Sequence, residues 1–174
     1  EVEDELDGPD GLQRTNNAAF DSTELNNRFH PFVSQTTAKG VYVIINPHNF
    51  ARYYRDISDW GPMQSGSQGV IGSTAVPNSA FADLWSRLAN IYKTNSFVIF
   101  GLMNEPNAIS TSDWVSPANA AIAAIRATGA TNLILVPGIS WTGAHSWISS
   151  GNSVAMLGIV DPANNYDYEV HQYM

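Results

Sequence analysis

The sequence has 174 residues, of which 44% are apolar, with a formal net charge of −8 and no cysteine. This composition predicts one globular domain over residues 1–174 and excludes disulfide bonds and thiolate metal sites. We expect no nucleic-acid partner, which would need a basic surface, and no membrane partner, because no apolar run approaches the roughly 18 residues of a membrane span.

An acidic segment and a helix are predicted first along the chain. The six acidic residues among residues 1–10 indicate a solvated loop or tail. A helix is then indicated by four apolar residues at helical spacing: Leu25, Phe29, Phe32 and Val33. We expect Asp21 or Ser22 to cap this helix. Pro31 should kink or divide it, and Gly40 should end it.

The next predicted elements alternate between strands and helices. The β-branched run at 41–46, "VYVIIN", indicates a buried strand, and a long loop is expected over 55–79. A helix over 80–93 carries six apolar residues on one face: Phe81, Leu84, Trp85, Leu88, Ile91 and Tyr92. The segments that follow are a strand at 97–103, a helix at 117–128 between Ser116-Pro117 and Gly129, a strand at 132–138, a Trp-rich loop with a short helical piece at 141–158, and a strand at 166–173.

This alternation is typical of parallel β/α units, in which both faces of nearly continuous apolar strands are covered. Four such strands are visible, whereas a closed (β/α)8 TIM barrel has eight strands and typically about 250 residues. The fold class is therefore α/β, either as a small open sheet or as an incomplete TIM barrel.

Polar and aromatic residues fall at the carboxyl ends of these strands. Five of them follow the first three strands: His48, Asn49, Asn104, Glu105 and Trp141. In the last strand the two-residue period places Glu169, His171 and Tyr173 on one face. Because the carboxyl ends of barrel strands meet at one mouth, we expect these side chains to converge there. Pro106 ends its strand and should fix the direction of the Glu105 carboxylate.

Each of these residues taken alone also has an ordinary structural explanation. A single histidine after a strand is most often a hydrogen-bonded structural residue, and a single glutamate at a strand end is usually solvated. Tyr53 and Trp141 suit packing roles equally well. The same placement at four successive strands favours a functional site, because unrelated accidents would scatter along the strands.

Four motifs occur in order: "PHNFARYY" at 47–54, "VIFGLMNEPN" at 98–107, "SWTGAHSW" at 140–147 and "YEVHQY" at 168–173. Together they resemble the cellulases of glycoside hydrolase family 5, in the fungal-type endoglucanase branch that also occurs in bacteria. The resemblance implies a (β/α)8 barrel that cleaves internal β-1,4-glucosidic bonds of cellulose or β-glucan with retention of configuration. It also implies a secreted monomer that needs no cofactor or metal and binds cellulose and cello-oligosaccharides.

The resemblance further implies roles for single residues. Glu105 matches the general acid/base, Asn104 the residue that binds the sugar 2-hydroxyl, and His48 a residue near the cleavage subsite. His171 and Tyr173 match residues that contact the sugar and position the nucleophile. The further expected substrate-binding residues include two tryptophans of a segment similar to an aromatic sugar-stacking loop: Asn49, Tyr53, Trp141 and Trp147.

The chemistry of the reaction agrees with these residue types. A glycosidic oxygen is a poor leaving group unless it is protonated, so Glu105 must carry a proton when the bond breaks. A second carboxylate, about 5 to 5.5 Å away, then forms a covalent intermediate. Glu105 next acts as base for the incoming water. A hydrogen bond from Asn104 to the 2-hydroxyl strengthens in the transition state, and flat glucose faces stack on aromatic rings.

The sequence departs from the family pattern in its extent. The family nucleophile is a Glu after the seventh strand, whereas the matched region stops at the sixth. We therefore interpret the chain as the central part of a catalytic barrel, about strands 3 to 6, with the nucleophile missing from it. An Arg of the early strands and a Trp after the eighth also have no match. Activity of residues 1–174 alone is not implied.

Three alternatives stay open from the residues. The chain suits a non-catalytic β-glucan-binding protein, since the nucleophile is missing. His48, Glu105 and His171 form a two-histidine, one-carboxylate set for a metal-dependent barrel enzyme, although Asn104 has no role in such a site. Catalysis within the chain would have to pair Glu105 with Glu169, which is expected deeper in the barrel.

Overall fold

The computed structural model describes residues 25–53 and 69–173. The predictions for the acidic N-terminal segment, for the cap at Asp21 or Ser22 and for most of the 55–79 loop lie outside these residues. Within the described ranges, none of the helices has the length and apolar character needed to cross a bilayer.

The strands fall into two sheets. Six strands are described: β1 (Val43–Ile45), β2 (Arg52–Tyr53), β3 (Gly69–Val70), β4 (Val98–Gly101), β5 (Ile134–Pro137) and β6 (Tyr166–Glu169). A parallel sheet has the order β1–β4–β5–β6, and β2 and β3 form a separate antiparallel pair. The four predicted strands and their parallel arrangement are confirmed. The pairing of β3 with β2 corrects the expectation of an uninterrupted loop over 55–79.

The helices connect the strands of the parallel sheet. The α-helices of the described residues are α1 (His30–Thr37), α2 (Asn78–Tyr92), α3 (Thr111–Ala127) and α4 (Asn152–Ala155). A π-helical turn, Leu25–Phe29, runs into α1, whose first turn holds Pro31. The helix is not broken at Pro31, since Phe29 keeps right-handed helical dihedrals, but its hydrogen-bond pattern changes from π to α just before the proline. Phe32 and Ile91, both expected on buried faces, are 47% and 36% exposed.

Helix α3 begins at Thr111, earlier than predicted. The Ser110 hydroxyl accepts a hydrogen bond from the Asp113 backbone N–H at 3.1 Å and donates to the Asp113 carboxylate at 2.6 Å. This serine caps the helix, so Pro117 lies inside it rather than at its start. The prediction from Ser116-Pro117 is wrong because the Ser110 cap provides the start signal instead.

The two faces of the parallel sheet differ in their cover. One face packs against α2 and α3, where Trp85 meets Phe100 edge-on with ring centroids 5.7 Å apart. On the opposite face Ile44 is 52% exposed and Asp167 is exposed. Within the described residues the helices therefore pack on one face only, which is the outer face in the predicted barrel arrangement.

Two fully buried tryptophans fix the carboxyl ends of the central strands. The Trp85 indole N–H donates to the Leu102 carbonyl at 3.2 Å, and that of Trp114 donates to the Pro137 carbonyl at 2.7 Å. A buried indole N–H needs such a partner. These bonds anchor the points from which the loops after β4 and β5 emerge.

Candidate active site

The chain leaves β4 through a tight turn that holds Asn104 and Glu105. The Asn104 N–H donates to the Pro47 carbonyl at 2.8 Å, which joins this turn to the loop after β1. Glu105 has φ +44° and is only 8% exposed. A left-handed non-glycine residue costs about 1 to 3 kcal/mol, and such strain is concentrated at functional sites. The fold therefore maintains an unfavourable backbone conformation to hold this carboxylate.

Two groups converge on one oxygen of Glu105. His171 Nδ1 lies 2.7 Å from Glu105 Oε1, and the Tyr173 hydroxyl donates to the same oxygen at 2.7 Å. In the part of the chain that the structure describes, no side chain donates to Oε2. The described side chains thus hold the carboxyl group through Oε1 alone. The predicted convergence of His171 and Tyr173 is confirmed by these contacts, although β6 ends at Glu169 and not at residue 173 as predicted.

His171 lies between two carboxylates. Its Nε2 is 2.9 Å from Glu169 Oε1, while its Nδ1 faces Glu105. Each of these contacts needs one proton between nitrogen and oxygen. The array therefore binds two protons, either as an imidazolium between two carboxylates or as a neutral imidazole with one carboxylic acid.

The environment shifts the proton affinity of two members of this array, Glu169 and His171. Burial raises the pKa of Glu169 above its ordinary value, although hydrogen bonds from His171 and Asn46 oppose the rise. Burial lowers the pKa of His171, but its hydrogen bonds to the two carboxylates outweigh this effect and the pKa is raised overall. Both groups keep their protons to higher pH than isolated side chains do.

Asn46, at the end of β1, holds Glu169 from the other side. Its Nδ2 donates to the two carboxylate oxygens at 3.3 and 3.4 Å. Gly101 of β4 makes room for it, since a Cβ at position 101 would lie 2.9 Å from Asn46 Nδ2. Sequence reasoning missed Asn46, although it shows the same signal as Asn104: a polar residue that ends an apolar strand.

His48 and Asn104 form a second contact beside this array. Asn104 Nδ2 lies 3.2 Å from His48 Nε2, so the amide donates and the ring nitrogen accepts. Arg52 holds the surrounding backbone by donating to the Phe50 carbonyl at 2.7 Å and to the Asn107 carbonyl at 2.5 Å. The loops after β1 and β4 are thereby tied together at the site.

Trp141 lies beside the Glu105 turn. Its backbone N–H donates to the Pro106 carbonyl at 3.2 Å, and the residue is 51% exposed. Ser140, Trp141 and Thr142 all have positive φ values, between +49° and +56°. An exposed indole is thus held next to a buried carboxylate by a strained loop, which is a suitable arrangement for a flat apolar ligand surface.

The other three predicted substrate-binding residues have different surroundings. Asn49 is buried, and its carbonyl accepts from the Arg52 N–H at 2.8 Å. Tyr53 and Trp147 are half-buried and pack against the core, with the Trp147 ring 6.0 Å from that of Tyr168. The predicted packing alternative suits Tyr53, and Trp147, which was expected to bind sugar, likewise packs against the core rather than forming an exposed platform.

The arrangement bears on two of the alternatives that the residues left open. Among residues 25–53 and 69–173, no three or more His, Cys, Asp or Glu side chains form a group that could hold a metal ion. His48 faces Asn104, and both nitrogens of His171 face carboxylates. The imidazole ring also fills the space between Glu105 and Glu169, so a sugar cannot lie between these two carboxylates.

Comparisons with known proteins agree with this geometry. The family described as "Cellulase (glycosyl hydrolase family 5)" matches residues 8–174. Endoglucanase 1 of Robillarda sp. (strain Y-20) is 42% identical over 163 residues, which cover 90% of this chain and 41% of that protein.

Solved structures give the same result. An endo-beta-1,4-glucanase from Xanthomonas axonopodis pv. citri has a TM-score of 0.81 at 46% identity, over 94% of this chain and 48% of that one. XacCel5A in complex with cellopentaose has a TM-score of 0.79 at 42% identity, over 94% of this chain and 49% of that one. The chain spans less than half the length of these relatives.

Proposed function

Because the chain belongs to the cellulases of glycosyl hydrolase family 5, and its parallel strands are part of a (β/α)8 barrel, we propose that the protein hydrolyses internal β-1,4-glucosidic bonds of cellulose or related β-glucans. The observation that carries this proposal is the buried Glu105, held through Oε1 by His171 and Tyr173. A carboxyl group held in this way can give a proton to a glycosidic oxygen through Oε2 and later take one from water.

The substrate class is supported by the relatives. A relative of known structure holds cellopentaose, and another is described as an endoglucanase. Neutral glucose units need hydrogen bonds and stacking surfaces rather than a charged groove, and the exposed Trp141 provides such a surface next to Glu105. We assign cello-oligosaccharides and cellulose as the partners. Because the polymer cannot enter a cell, we also propose that the protein is secreted. We take a monomer as its working form.

Asn104 is assigned to the sugar 2-hydroxyl. One of its amide hydrogens is directed at His48 Nε2, which fixes the orientation of the side chain. The second amide hydrogen and the amide oxygen stay available to a ligand. A fixed amide beside the acid/base can strengthen its contact with the 2-hydroxyl as the sugar approaches the oxocarbenium-like transition state.

The nucleophile is assigned to a carboxylate outside residues 1–174. A retaining enzyme places its two carboxyl groups on opposite sides of the scissile bond, about 5 to 5.5 Å apart. Glu169 does not meet this requirement, because the His171 ring separates it from Glu105. In the proposed reaction the nucleophile attacks the anomeric carbon while Glu105 protonates the leaving oxygen. Water then releases the sugar after Glu105 has taken its proton.

The experiment is a kinetic comparison of the full-length protein with its Glu105→Gln variant. On carboxymethyl cellulose and cellopentaose we expect kcat to fall by about 10² to 10⁴-fold, because general acid–base catalysis contributes about this much. Cellopentaose binding, measured by calorimetry, should be largely retained. Cleavage of a dinitrophenyl cellobioside should release the first dinitrophenolate at a nearly normal rate, because that leaving group needs no proton.

Other outcomes separate the alternatives. Near-normal turnover of cellopentaose by the Glu105→Gln variant would refute the assignment of the acid/base. A wild-type protein that binds cellopentaose without cleaving it would instead support the non-catalytic β-glucan-binding alternative. Activity that is lost on treatment with a strong chelator and restored by a divalent ion would favour the metal-dependent alternative.

A further inference from the structure

We propose that Glu169 is a positioning residue for the acid/base, which acts on Glu105 through His171 without touching the substrate. The inference rests on the proposed function of Glu105. It is carried by a continuous chain of four side chains that crosses the mouth of the sheet, from Asn46 after β1 to Glu169 on β6, then to His171, and finally to Glu105 after β4.

The geometry fixes the His171 ring at both nitrogens. Its main chain is already held, since its N–H donates to the Thr142 carbonyl at 2.9 Å and its carbonyl accepts from Ala144 at 2.8 Å. With one nitrogen bonded, the ring could still rotate or change tautomer. The Glu169 contact at 2.9 Å removes this freedom and directs Nδ1 at Glu105. Both ring nitrogens are therefore used by the protein, and neither is left for the sugar.

Charge gives Glu169 a second effect. In the described residues, His171 is the ion-pair partner of both Glu105 and Glu169, and neither carboxylate pairs with lysine or arginine. The charge of the imidazolium thus depends on the two acids that face it. When Glu105 gives its proton to the leaving oxygen, an adjacent imidazolium offsets the new negative charge.

The titratable groups around the ring come from three segments. Glu169 faces it from β6 and Glu105 from the turn after β4. The next neighbours are Tyr173, which reaches the ring through Glu105, and His48, which contacts Asn104. Removal of the Glu169 charge lowers the proton affinity of this whole array. The alkaline limb of the pH–rate profile should therefore move to lower pH.

The experiment uses the Glu169→Gln variant of the full-length protein, with cellopentaose as the substrate. Glutamine keeps the volume and can still accept a hydrogen bond from His171 Nε2, but it carries no charge. We expect kcat to fall by about ten- to a hundredfold, a part of the total that acid–base catalysis contributes, with KM little changed. The alkaline limb should move down by about one pH unit.

A matched control removes one negative charge from an outer helix. Asp83 lies on α2 with a side chain that is 57% exposed, and it pairs with Arg87 on the surface, where such a pair contributes little. The Asp83→Asn variant should keep the wild-type rate and pH profile. An equal shift in both variants would show a general field effect and would overturn the positioning role of Glu169.

The two proposals fail in different ways. A wild-type protein without glucanase activity would remove the proposed function. An active wild type with an inactive Glu105→Gln variant, together with a Glu169→Gln variant of normal rate and pH profile, would overturn the role of Glu169 alone. If Glu169→Gln does not fold by circular dichroism, ¹⁵N spectra of histidine-labelled wild type decide. Two protonated nitrogens on His171 at neutral pH support the inference, and a single neutral tautomer overturns it.

Discussion

The two ends of the parallel sheet both bury acidic groups, but they hold them with different partners. At the carboxyl end, Glu105 and Glu169 share protons with His171. At the amino end, Arg126 donates to both oxygens of Asp161 at 2.8 Å. An arginine stays charged in proteins, whereas a histidine gains or loses its proton near neutral pH. Burial of an acid is therefore not itself a sign of chemistry, and the partner decides what the acid can do.

The amino-end pair is a structural clamp. Arg126 also donates to the carbonyls of Ala130, Asn132 and Asn165 at 2.8 to 3.0 Å, which precede β5 and β6. The hydrogen bond from Arg126 lowers the pKa of Asp161 to about 2. The pair thus stays ionised over the ordinary pH range and joins helix α3 to the starts of two strands.

Backbone strain follows the same division. Of the eight non-glycine residues with positive φ in the described chain, seven lie in loops at the carboxyl end: Phe50, Ala51, Glu105, Ala108, Ser140, Trp141 and Thr142. The eighth, Asn164, precedes β6, and asparagine tolerates this conformation better than most residues. Strain is therefore concentrated at the end of the sheet that holds the site.

The largest expected effect tests the clamp. The Arg126→Met variant leaves Asp161, whose side chain has no exposed surface, as a buried charge without its cation. We expect the free energy of unfolding to fall by about 3 to 5 kcal/mol, measured by urea denaturation, while kcat per folded molecule is unchanged. A large loss of kcat with unchanged stability would contradict the purely structural role of the amino end of the sheet.

The second prediction tests the carboxyl end. Asn104→Ala should lower kcat by about a hundredfold, close to 2.7 kcal/mol, because a fixed donor to the transition state is lost. KM should rise much less, and stability should change little. Asn119→Ala is the control, since Asn119 bonds Gly158 and Val160 away from the site. A change confined to KM would contradict the assigned role of Asn104.

The third prediction concerns pH and stability. The folded-state pKa of Asp161 is lowered to about 2, so its contribution of about 2 kcal/mol is present above pH ~4 and lost as pH falls towards 2. The raised pKa values of Glu169 and His171 act in the opposite sense, because the folded state then holds protons more tightly and loses stability as pH rises. Urea denaturation from about pH 2 to about pH 8 should show the free energy of unfolding falling towards both the acid and the alkaline end. The Asp161→Asn variant should lack the acid contribution.

The smallest effect separates two tryptophans. Trp141→Ala should weaken cellopentaose binding by about 1 kcal/mol, a typical contribution of one aromatic contact, and leave the melting temperature nearly unchanged. Trp147→Ala should show the reverse pattern, because Trp147 packs against the core. Calorimetry and thermal unfolding of both variants give the comparison. If both variants lost the same binding free energy, both tryptophan rings would have to contact the sugar.

The strand ends and their polar residues could be predicted from the sequence because both depend on local patterns. Near-continuous apolar runs mark β4 and β5, and the two-residue period alone places Glu169, His171 and Tyr173 together. The start of α3 is also encoded locally, but Ser110 and Ser116-Pro117 are competing start signals, and the helix begins after Ser110, whose hydroxyl caps it.

The remaining features depend on contacts that no local pattern encodes. Asn46 and Glu169 are 123 positions apart in sequence, and their contact exists only because the sheet curves β1 and β6 towards each other. The pairing of β2 with β3 is likewise a result of tertiary packing. Whether a buried acid pairs with a histidine, as at the carboxyl end of the sheet, or with an arginine, as at the amino end, also depends on such tertiary contacts.

The space beside Gly101 has a consequence for reading sequence variation in this protein. A single methyl group there would displace the Asn46 side chain, which is hydrogen-bonded to Glu169. Glu169 is in turn bonded to His171, and His171 to Glu105. Position 101 is on a core strand and bears no functional group. We therefore expect an alanine at this position to affect the active site through Asn46, and a mutational screen restricted to substrate-lining positions would overlook it.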